Sequence, residues 1–339
     1  MEKEKVAELK ALLSQPKKTV IIPHRNPDGD AIGSTLALQH YLNQTGHEAV
    51  VVAPNDYPDF LKWMPGVNDM VVFSEDTQKA KELIAKAEVI FTLDFNHFSR
   101  TGNDMEMVLN ETDTTYVMID HHQAPANYAK YTYSDTSISS TCQMVYHFLE
   151  LLDATNKVTQ DIATCLYVGI MTDTGSFRFS STTSTTHRVI ANLIDKGAHN
   201  SRIHQMVYDT NSTHRMQLLG VALSNMKVLP EFKTAYITLS QEELDAHEFK
   251  KGDTEGFVNY SLSIKGIIFA AIFIENKQDD IVKISLRSKG DFDVNQFARE
   301  HFHGGGHINA AGGKSDLSLH ETIASFERIL NNYKNELEH

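Results

Sequence analysis

Short apolar runs alternate with helical segments through the first 120 residues. The first run is Thr19–Ile22, and runs of similar length begin at Ala49, Met70, Val89 and Tyr116. The runs are rich in β-branched and aromatic residues, as strands are, whereas the segments between them carry the charges. Strands that alternate with helices form a mostly parallel sheet that is covered on both faces. The pattern therefore predicts an α/β fold for this part of the chain.

A change of pattern further along the chain predicts a second, smaller domain. Residues 139–219 have a mainly helical pattern, and strand-like runs resume at residue 235. A length of 339 residues suits two domains that each bury their own core. We therefore predict a parallel-sheet domain over 1–188, a helical linker over 189–225, a smaller α/β domain over 226–336 and a tag remnant at 337–339.

The composition excludes several classes of protein. A net charge of −13 argues against a protein that coats long nucleic acid. With Cys142 and Cys165 as the only cysteines, the chain has neither a disulfide framework nor a thiolate cluster. No apolar run approaches the ~20 residues that span a membrane, so we expect a cytoplasmic protein with no membrane partner. The negative net charge does not exclude a pocket for a small anion, because metal ions or an arginine could make the local charge positive.

Acidic and imidazole side chains follow three of these strands at the point where each strand ends. The first strand leads into His24–Asp30, the fourth into Asp94 and the fifth into Asp120–His122. Because the carboxyl ends of parallel strands meet at one edge of a sheet, we expect these side chains to be neighbours. Carboxylates this close repel one another unless protons or cations intervene. The sequence therefore predicts a metal site, and a pair of divalent ions is the simplest counter-charge.

Each of these acidic residues also has a purely structural interpretation. Asp28 or Asp30 could cap a helix that begins near Ala31, and Asp94 alone is more typical of a turn. Asp173 follows an apolar helical segment, where its charge opposes the helix dipole unless a cation lies opposite. Repetition at the same edge of the sheet favours the metal site.

These motifs, taken in order, resemble those of the DHH phosphoesterase family. The resemblance rests on His24-x-x-x-Asp28-x-Asp30, Asp94, Asp120-His121-His122 and Asp173. The run Gly304–Gly312, preceded by Leu286-Arg287-Ser288, is similar to the DHHA1 domain that accompanies the family. The resemblance covers residues 5–330 and is strongest to the two-domain subfamily of nanoRNases (oligoribonucleases) and pAp phosphatases.

The resemblance implies a role for each residue of these motifs. The implied ligands of two metal ions are His24 and Asp28 for one, Asp30 and His121 for the other, and Asp94 and Asp173 shared. Asp120 is implied to be a weak ligand or to support one, and His122 to contact the scissile phosphate. Mixed imidazole and carboxylate ligands suit two Mn²⁺ ions, with Mg²⁺ as the alternative. Two such ions activate a bridging water and hold the attacking and leaving oxygens in line, while His122 donates a hydrogen bond or a proton.

The second domain is implied to bind the nucleotide. Glycines let a backbone approach a ligand closely, and successive amides can form an anion nest, although a flexible surface loop is the alternative. Arginine suits bidentate binding of phosphate. The residues that we expect to contact substrate are Arg100, for which a structural pair is an equal alternative, and Arg287, Ser288, Gly305, Gly306 and His307.

Two departures from the family pattern lie beside these residues. His303 replaces a glycine that usually begins the glycine-rich run, which leaves the backbone shape there open or adds an imidazole near the substrate. Asn96-His97 replaces a position where relatives commonly carry Ser or Thr, so the contacts near Asp94 are less defined.

We therefore expect a metal-dependent phosphoesterase with its site in the cleft between the two domains. The expected substrates are very short oligoribonucleotides and 3′-phosphoadenosine 5′-phosphate, because the acidic surface repels long chains. The alternative is cleavage of cyclic di-AMP or of its linear product pApA. An exopolyphosphatase, a RecJ-type exonuclease and a non-catalytic nucleotide-binding module are disfavoured. A short RNA or nucleotide is the expected partner, and a homodimer is left open.

Overall fold

The computed structural model describes residues 1–337, which divide into two compact units. The first unit is Met1–Thr210, and the second begins at Asn211. The predicted linker, 189–225, is largely helical and contains this division. Of the predicted tag remnant, Leu337 ends the last helix and is buried, whereas residues 338 and 339 lie outside the described residues.

The first unit is built on a parallel sheet, as the sequence predicts. Its strands are β1 (Lys18–Ile22), β2 (Glu48–Ala53), β3 (Val71–Val72), β4 (Val89–Leu93), β5 (Thr115–Asp120) and β6 (Tyr131–Ser134). Its helices are α1 (Lys3–Leu12), α2 (Gly29–Gln44), α3 (Thr77–Lys86), α4 (Asn103–Glu111), α5 (Thr141–Leu151), α6 (Gln160–Asp173), α7 (Ser184–Asp195) and α8 (Asn200–Tyr208). The strand order is β3-β2-β1-β4-β5-β6, and every pair is parallel.

Alternate residues of β1 point into the cores on the two faces of this sheet. Ile21 belongs to the larger core, which includes residues of α2, α5 and α6, whereas Val20 and Ile22 belong to the core with α3 and α4. The strand order reverses between β1 and β4. In doubly wound sheets the loops that follow such a pair of strands open into the crevice where ligands bind. The loops after β1 and β4 carry His24 and Asp94.

Helices α2 and α6 cross closely because glycines leave no side chain between them. A Cβ atom on Gly33 of α2 would lie 2.5 Å from the carbonyl oxygen of Cys165 in α6. A Cβ atom on Gly169 of α6 would collide with Sγ of Cys142 and would lie 2.8 Å from Oδ1 of Asp30. These positions therefore require glycine in a close-packed interior. The crossing brings the first turn of α2 next to the last turn of α6.

The second unit is a smaller α/β unit with a mixed sheet. Its strands are β7 (Lys227–Leu229), β8 (Thr234–Leu239), β9 (Phe269–Asn276), β10 (Ile281–Ser288), β11 (Gly305–His307) and β12 (Ala310–Ser315). Its helices are α9 (Thr213–Ser224), α10 (Gln241–Ala246), α11 (Phe257–Leu262), α12 (Val294–His301), α13 (Leu319–Leu330) and α14 (Lys334–Leu337). In the order β11-β12-β10-β9-β8-β7, β8 and β9 are parallel and the other pairs are antiparallel.

Apolar side chains cover both faces of this second sheet. On one face Phe269 and Phe273 pack against Phe326 of α13, with ring centroids 5.6 and 5.0 Å from it. On the other face Ile237 shares a core with Phe257 of α11. Among residues 1–337, no helix has both the length and the apolar character that crossing a bilayer requires.

Gly169→Ala is expected to lower the free energy of unfolding by at least about 2 kcal/mol, because the added methyl overpacks the α2–α6 crossing. Gly220→Ala is the matched control, since a Cβ atom at Gly220 in α9 meets nothing within 4 Å. The control is expected to stabilise the protein by about 0.5–1 kcal/mol. Urea unfolding followed by circular dichroism measures both changes, and equal stability of the two variants would contradict this account.

Candidate metal centre

The predicted ligands come together at the carboxyl edge of the first sheet. Two sets of three residues could each hold a cation, namely His24, Asp28 and Asp94, and Asp30, Asp94 and His121. Within each set, one ligand atom of each residue lies within 4.8 Å of the others. Asp94 belongs to both sets. The arrangement could therefore hold two cations that share one carboxylate.

Asp94 lies between two imidazole rings. Its Oδ2 is 3.4 Å from Nε2 of His24, and its Oδ1 is 3.4 Å from Nε2 of His121. The backbone of Asp94 has a φ of 65°, a left-handed conformation that aspartate tolerates better than most residues. Burial alone would raise the pKa of Asp94, but hydrogen bonds from His121 and His24 hold this pKa well below its ordinary value. Asp94 is therefore an ionised carboxylate that is almost fully buried.

Backbone carbonyls fix the orientation of His24 and His121. Nδ1 of His24 is 2.9 Å from the carbonyl oxygen of Arg25, and Nδ1 of His121 is 3.2 Å from that of Ile138. A carbonyl oxygen only accepts, so each ring carries a proton on Nδ1. When the ring is neutral, its Nε2 lone pair faces the carboxylates. This is the tautomer that a metal ion bound at Nε2 requires.

The N-terminus of α5 holds Asp30. Oδ2 of Asp30 accepts a hydrogen bond from the Thr141 amide at 2.6 Å, and Oδ1 accepts one from the Cys142 amide at 2.8 Å. The positive end of the helix favours the negative charge. Burial nevertheless raises the pKa of Asp30 well above its ordinary value, and the charges of Asp94 and Asp173 act in the same direction. A cation beside Asp30 would offset this cost.

Asp28 caps α2 and also lies among the potential metal ligands. Its Oδ1 accepts hydrogen bonds from the amides of Asp30 at 3.0 Å and Ala31 at 3.1 Å, which caps α2. Asp28 also belongs to the set of potential ligands with His24 and Asp94. Capping and metal binding therefore do not exclude each other here.

Asp173 ends α6, as the sequence predicts, and faces the same centre. Its Oδ2 lies 3.6 Å from Nε2 of His121. Burial raises the pKa of Asp173 to about 7, with His121 opposing this shift and Asp28 adding to it. Asp173 thus gives up its proton near neutral pH.

Asp120 orients His122. Nδ1 of His122 is 2.7 Å from Oδ1 of Asp120, so Nδ1 donates to the carboxylate. Oδ2 of Asp120 is buried without a hydrogen-bond partner. Such an atom is costly unless a proton or a cation lies nearby. Asp94, Asp120 and His122 form a further set of potential ligands, so the donor set fits divalent cations.

Asn96, which departs from the family pattern, forms hydrogen bonds to the segment that follows His122. Its side-chain Nδ2 donates to the carbonyl oxygen of Gln123 at 2.6 Å, and its backbone carbonyl oxygen accepts from the Ala126 amide at 2.9 Å. The departure therefore has a structural function.

His97 supports the turn that carries Arg100. Its Nδ1 accepts a hydrogen bond from the Ser99 amide at 3.1 Å, which caps the short helix Phe98–Thr101. The carbonyl oxygen of Arg100 accepts from the Arg25 amide at 2.7 Å, next to His24. Burial would lower the pKa of His24, but the hydrogen bond to Asp94 and the charge of Asp28 raise it above its ordinary value, and the positive charge of Arg100 opposes this rise. Arg100 therefore lies close enough to the centre to act on it.

The glycine-rich run of the second unit forms a β-hairpin. β11 pairs with β12, and a Cβ atom on Gly304 or Gly306 would collide with a backbone oxygen of the opposite strand. The Gly306 amide donates to Oδ1 of Asn295 at 2.8 Å. His303 has a φ of 47°, a conformation that glycine adopts without strain, which explains why a glycine suits this position.

Arg287 and Ser288 lie at the end of β10. Arg287 is in register with Ala310 of β12, next to the hairpin. The Ser288 hydroxyl donates to the carbonyl oxygen of Phe292 at 2.6 Å and accepts from Nδ2 of Asn309 at 2.9 Å. Ser288 thus fixes the turn after β10, and its hydroxyl is engaged within the unit.

Family models match both units. A model described as the DHH family, N-terminal domain, matches residues 18–170, and a DHHA1 domain model matches residues 231–336. The bifunctional oligoribonuclease and PAP phosphatase NrnA of Thermus thermophilus is 31% identical over 94% of this chain and 89% of its own length. This chain belongs to the DHH family. The resemblance seen in the motifs is therefore confirmed.

Two further relatives match over nearly the whole chain. The crystal structure of an exopolyphosphatase-related protein from Bacteroides fragilis is 38% identical, with a TM-score of 0.95 over 100% of this chain and 98% of that one. The cyclic-di-AMP phosphodiesterase GdpP of Geobacillus thermodenitrificans is 26% identical over 96% of this chain but only 49% of its own length. The DHH and DHHA1 units thus recur together in proteins of different size.

Metal binding to this DHH-family centre is expected to release protons and to strengthen as pH rises. Burial would lower the pKa of His121, but Asp94 and Asp173 raise it well above its ordinary value, and the pKa of Asp173 is about 7. Both groups therefore hold protons at or below pH 7 that a cation must displace. Each released proton makes the affinity rise about tenfold per pH unit below the pKa. Calorimetric titration of the metal-free protein with Mn²⁺ in buffers of different ionisation enthalpy measures the effect, and an affinity independent of pH would contradict it.

Proposed function

We propose that this protein is a phosphoesterase that hydrolyses very short oligoribonucleotides and 3′-phosphoadenosine 5′-phosphate. The observation that carries the proposal is the place of Asp94 in two adjacent sets of potential ligands, because a two-metal phosphoesterase needs cations close enough to share a ligand. The relative from T. thermophilus, a bifunctional oligoribonuclease and PAP phosphatase, supports this substrate class.

We assign two Mn²⁺ ions to the centre. The residues that would hold them are His24, Asp28, Asp30, Asp94, His121 and Asp173. Mixed imidazole and carboxylate donors favour Mn²⁺, with Mg²⁺ as the alternative. When bound, such ions lower the pKa of a water molecule and offset the charge of the substrate phosphate.

His122 is the proposed proton donor. Because Asp120 keeps the proton on Nδ1, the ring delivers a hydrogen bond or a proton from Nε2 to a phosphate or leaving oxygen. The Asp120 carboxylate also stabilises the protonated ring, since it lies 2.7 Å from Nδ1. Asp120 therefore acts through His122.

Substrate contacts outside the metal centre are assigned to both units. In the first unit Arg100 would bind a phosphate, and in the second Arg287, Gly305, Gly306 and His307 would hold the nucleotide, with Ser288 fixing the turn beside Arg287. Arginine binds phosphate in a bidentate manner. The net charge of −13 repels long nucleic acid, which supports a short substrate. The proposed site of action is the cytoplasm.

The substrate proposal predicts turnover of 3′-phosphoadenosine 5′-phosphate and of a five-residue RNA in the presence of Mn²⁺. Long DNA and pyrophosphate are expected to remain intact, because the acidic surface repels the first and the second offers no nucleoside to bind. Chromatography of the products over time measures the rates. Faster turnover of cyclic di-AMP or pApA would favour the alternative phosphodiesterase activity, and hydrolysis of none of these compounds would contradict the enzyme assignment.

His122→Gln is expected to lower kcat by at least about 100-fold, the contribution typical of general acid catalysis. His147→Gln is the matched control, because Nδ1 of His147 lies 2.7 Å from Oε2 of Glu150 in an equivalent pair outside the centre. The control should keep kcat within about twofold of the wild type. Steady-state kinetics with 3′-phosphoadenosine 5′-phosphate measures both, and an active His122→Gln variant would rule out the assigned role.

A further inference from the structure

Thr141 contacts two of the proposed metal ligands at the same time. Its amide donates to Oδ2 of Asp30 at 2.6 Å, and its hydroxyl donates to Oδ1 of Asp94 at 2.9 Å. The residue is fully buried at the first position of α5, where Ser140 caps the helix. Thr141 therefore links the two carboxylates that, together with His121, form one set of potential ligands.

Asp94 needs such a contact because its two oxygens face different partners. Oδ2 faces His24 and Oδ1 faces His121, so rotation of the carboxylate would disturb both sets of potential ligands. A hydrogen bond to Oδ1 restricts this rotation. Contacts that orient metal ligands typically contribute 10- to 100-fold in metal affinity or activity.

We propose that Thr141 is a positioning residue that fixes the shared carboxylate of Asp94, relative to Asp30, for metal binding. The inference rests on the proposed function, since it assumes that Asp94 is a shared ligand. It assigns to the Thr141 hydroxyl an effect on metal affinity that a hydroxyl serving only the packing of α5 would not have.

The test compares Mn²⁺ binding by metal-free Thr141→Val, Thr141→Ser and Thr35→Val proteins. The valine variant loses the hydroxyl but keeps the amide bond to Asp30, and the serine variant keeps both. Thr35→Val is the matched control, because the buried Thr35 hydroxyl donates only to the α2 carbonyl oxygens of Ala31 and Ile32. Electron paramagnetic resonance of free Mn²⁺ gives the affinities without reference to activity, and thermal unfolding reports on the fold.

We expect Thr141→Val to bind Mn²⁺ at least about tenfold more weakly than the wild type, and Thr141→Ser and Thr35→Val to bind within about threefold of it. A folded Thr141→Val protein with wild-type affinity would overturn the inference and leave the proposed function intact. Absence of Mn²⁺ binding by the wild type would overturn both. If Thr141→Val does not fold, Thr141→Ala removes the same hydroxyl with less crowding, and failure of both to fold would show a structural role instead.

Discussion

The geometry of the candidate metal centre depends on the close crossing of α2 and α6. Asp30 lies in the first turn of α2 and Asp173 at the end of α6, so the distance between the helices sets the distance between these carboxylates. Helices with ordinary side chains at their contact lie 8–10 Å apart. Gly33 and Gly169 let the backbones approach without such side chains, and Gly169 also leaves the space that the Asp30 carboxylate occupies. Gly169 is therefore required both for the packing of the two helices and for the position of the Asp30 carboxylate.

The second constraint on the site is the free-energy cost of burying several carboxylates. Fixed backbone dipoles offset part of this cost. The N-terminus of α5 faces Asp30, and backbone carbonyls turn the Nε2 atoms of His24 and His121 towards the acids. Each of these groups is held by a contact outside the centre, so little reorganisation is needed when a ligand arrives. The dipoles do not offset all of this negative charge. The pKa of Asp30 is still raised, and Oδ2 of Asp120 has no hydrogen-bond partner.

The sequence was sufficient to predict the parallel sheet and the edge at which His24, Asp94 and Asp120 meet, because strand direction alone determines that edge. It could not show what faces the start of α5, since Ser139-Ser140-Thr141 indicates a helix terminus and not its neighbour. β6 alternates aromatic and polar side chains in Tyr-Thr-Tyr-Ser but is only four residues long, and β11 is Gly-Gly-His, which has no apolar side chain. Close strand packing explains Gly304 and Gly306, whereas a Cβ atom at Gly305 or Gly312 would make only ordinary contacts.

The proposed ligands come from widely separated parts of the chain, the first at residue 24 and the last at residue 173. No shorter stretch of the first unit contains a complete centre, so the site cannot exist before α6 has packed against α2. Ions that bind only the folded form stabilise it by a free energy that grows with the logarithm of their concentration. The supply of divalent ions would then govern what fraction of the unit is folded as well as how fast the protein turns over substrate.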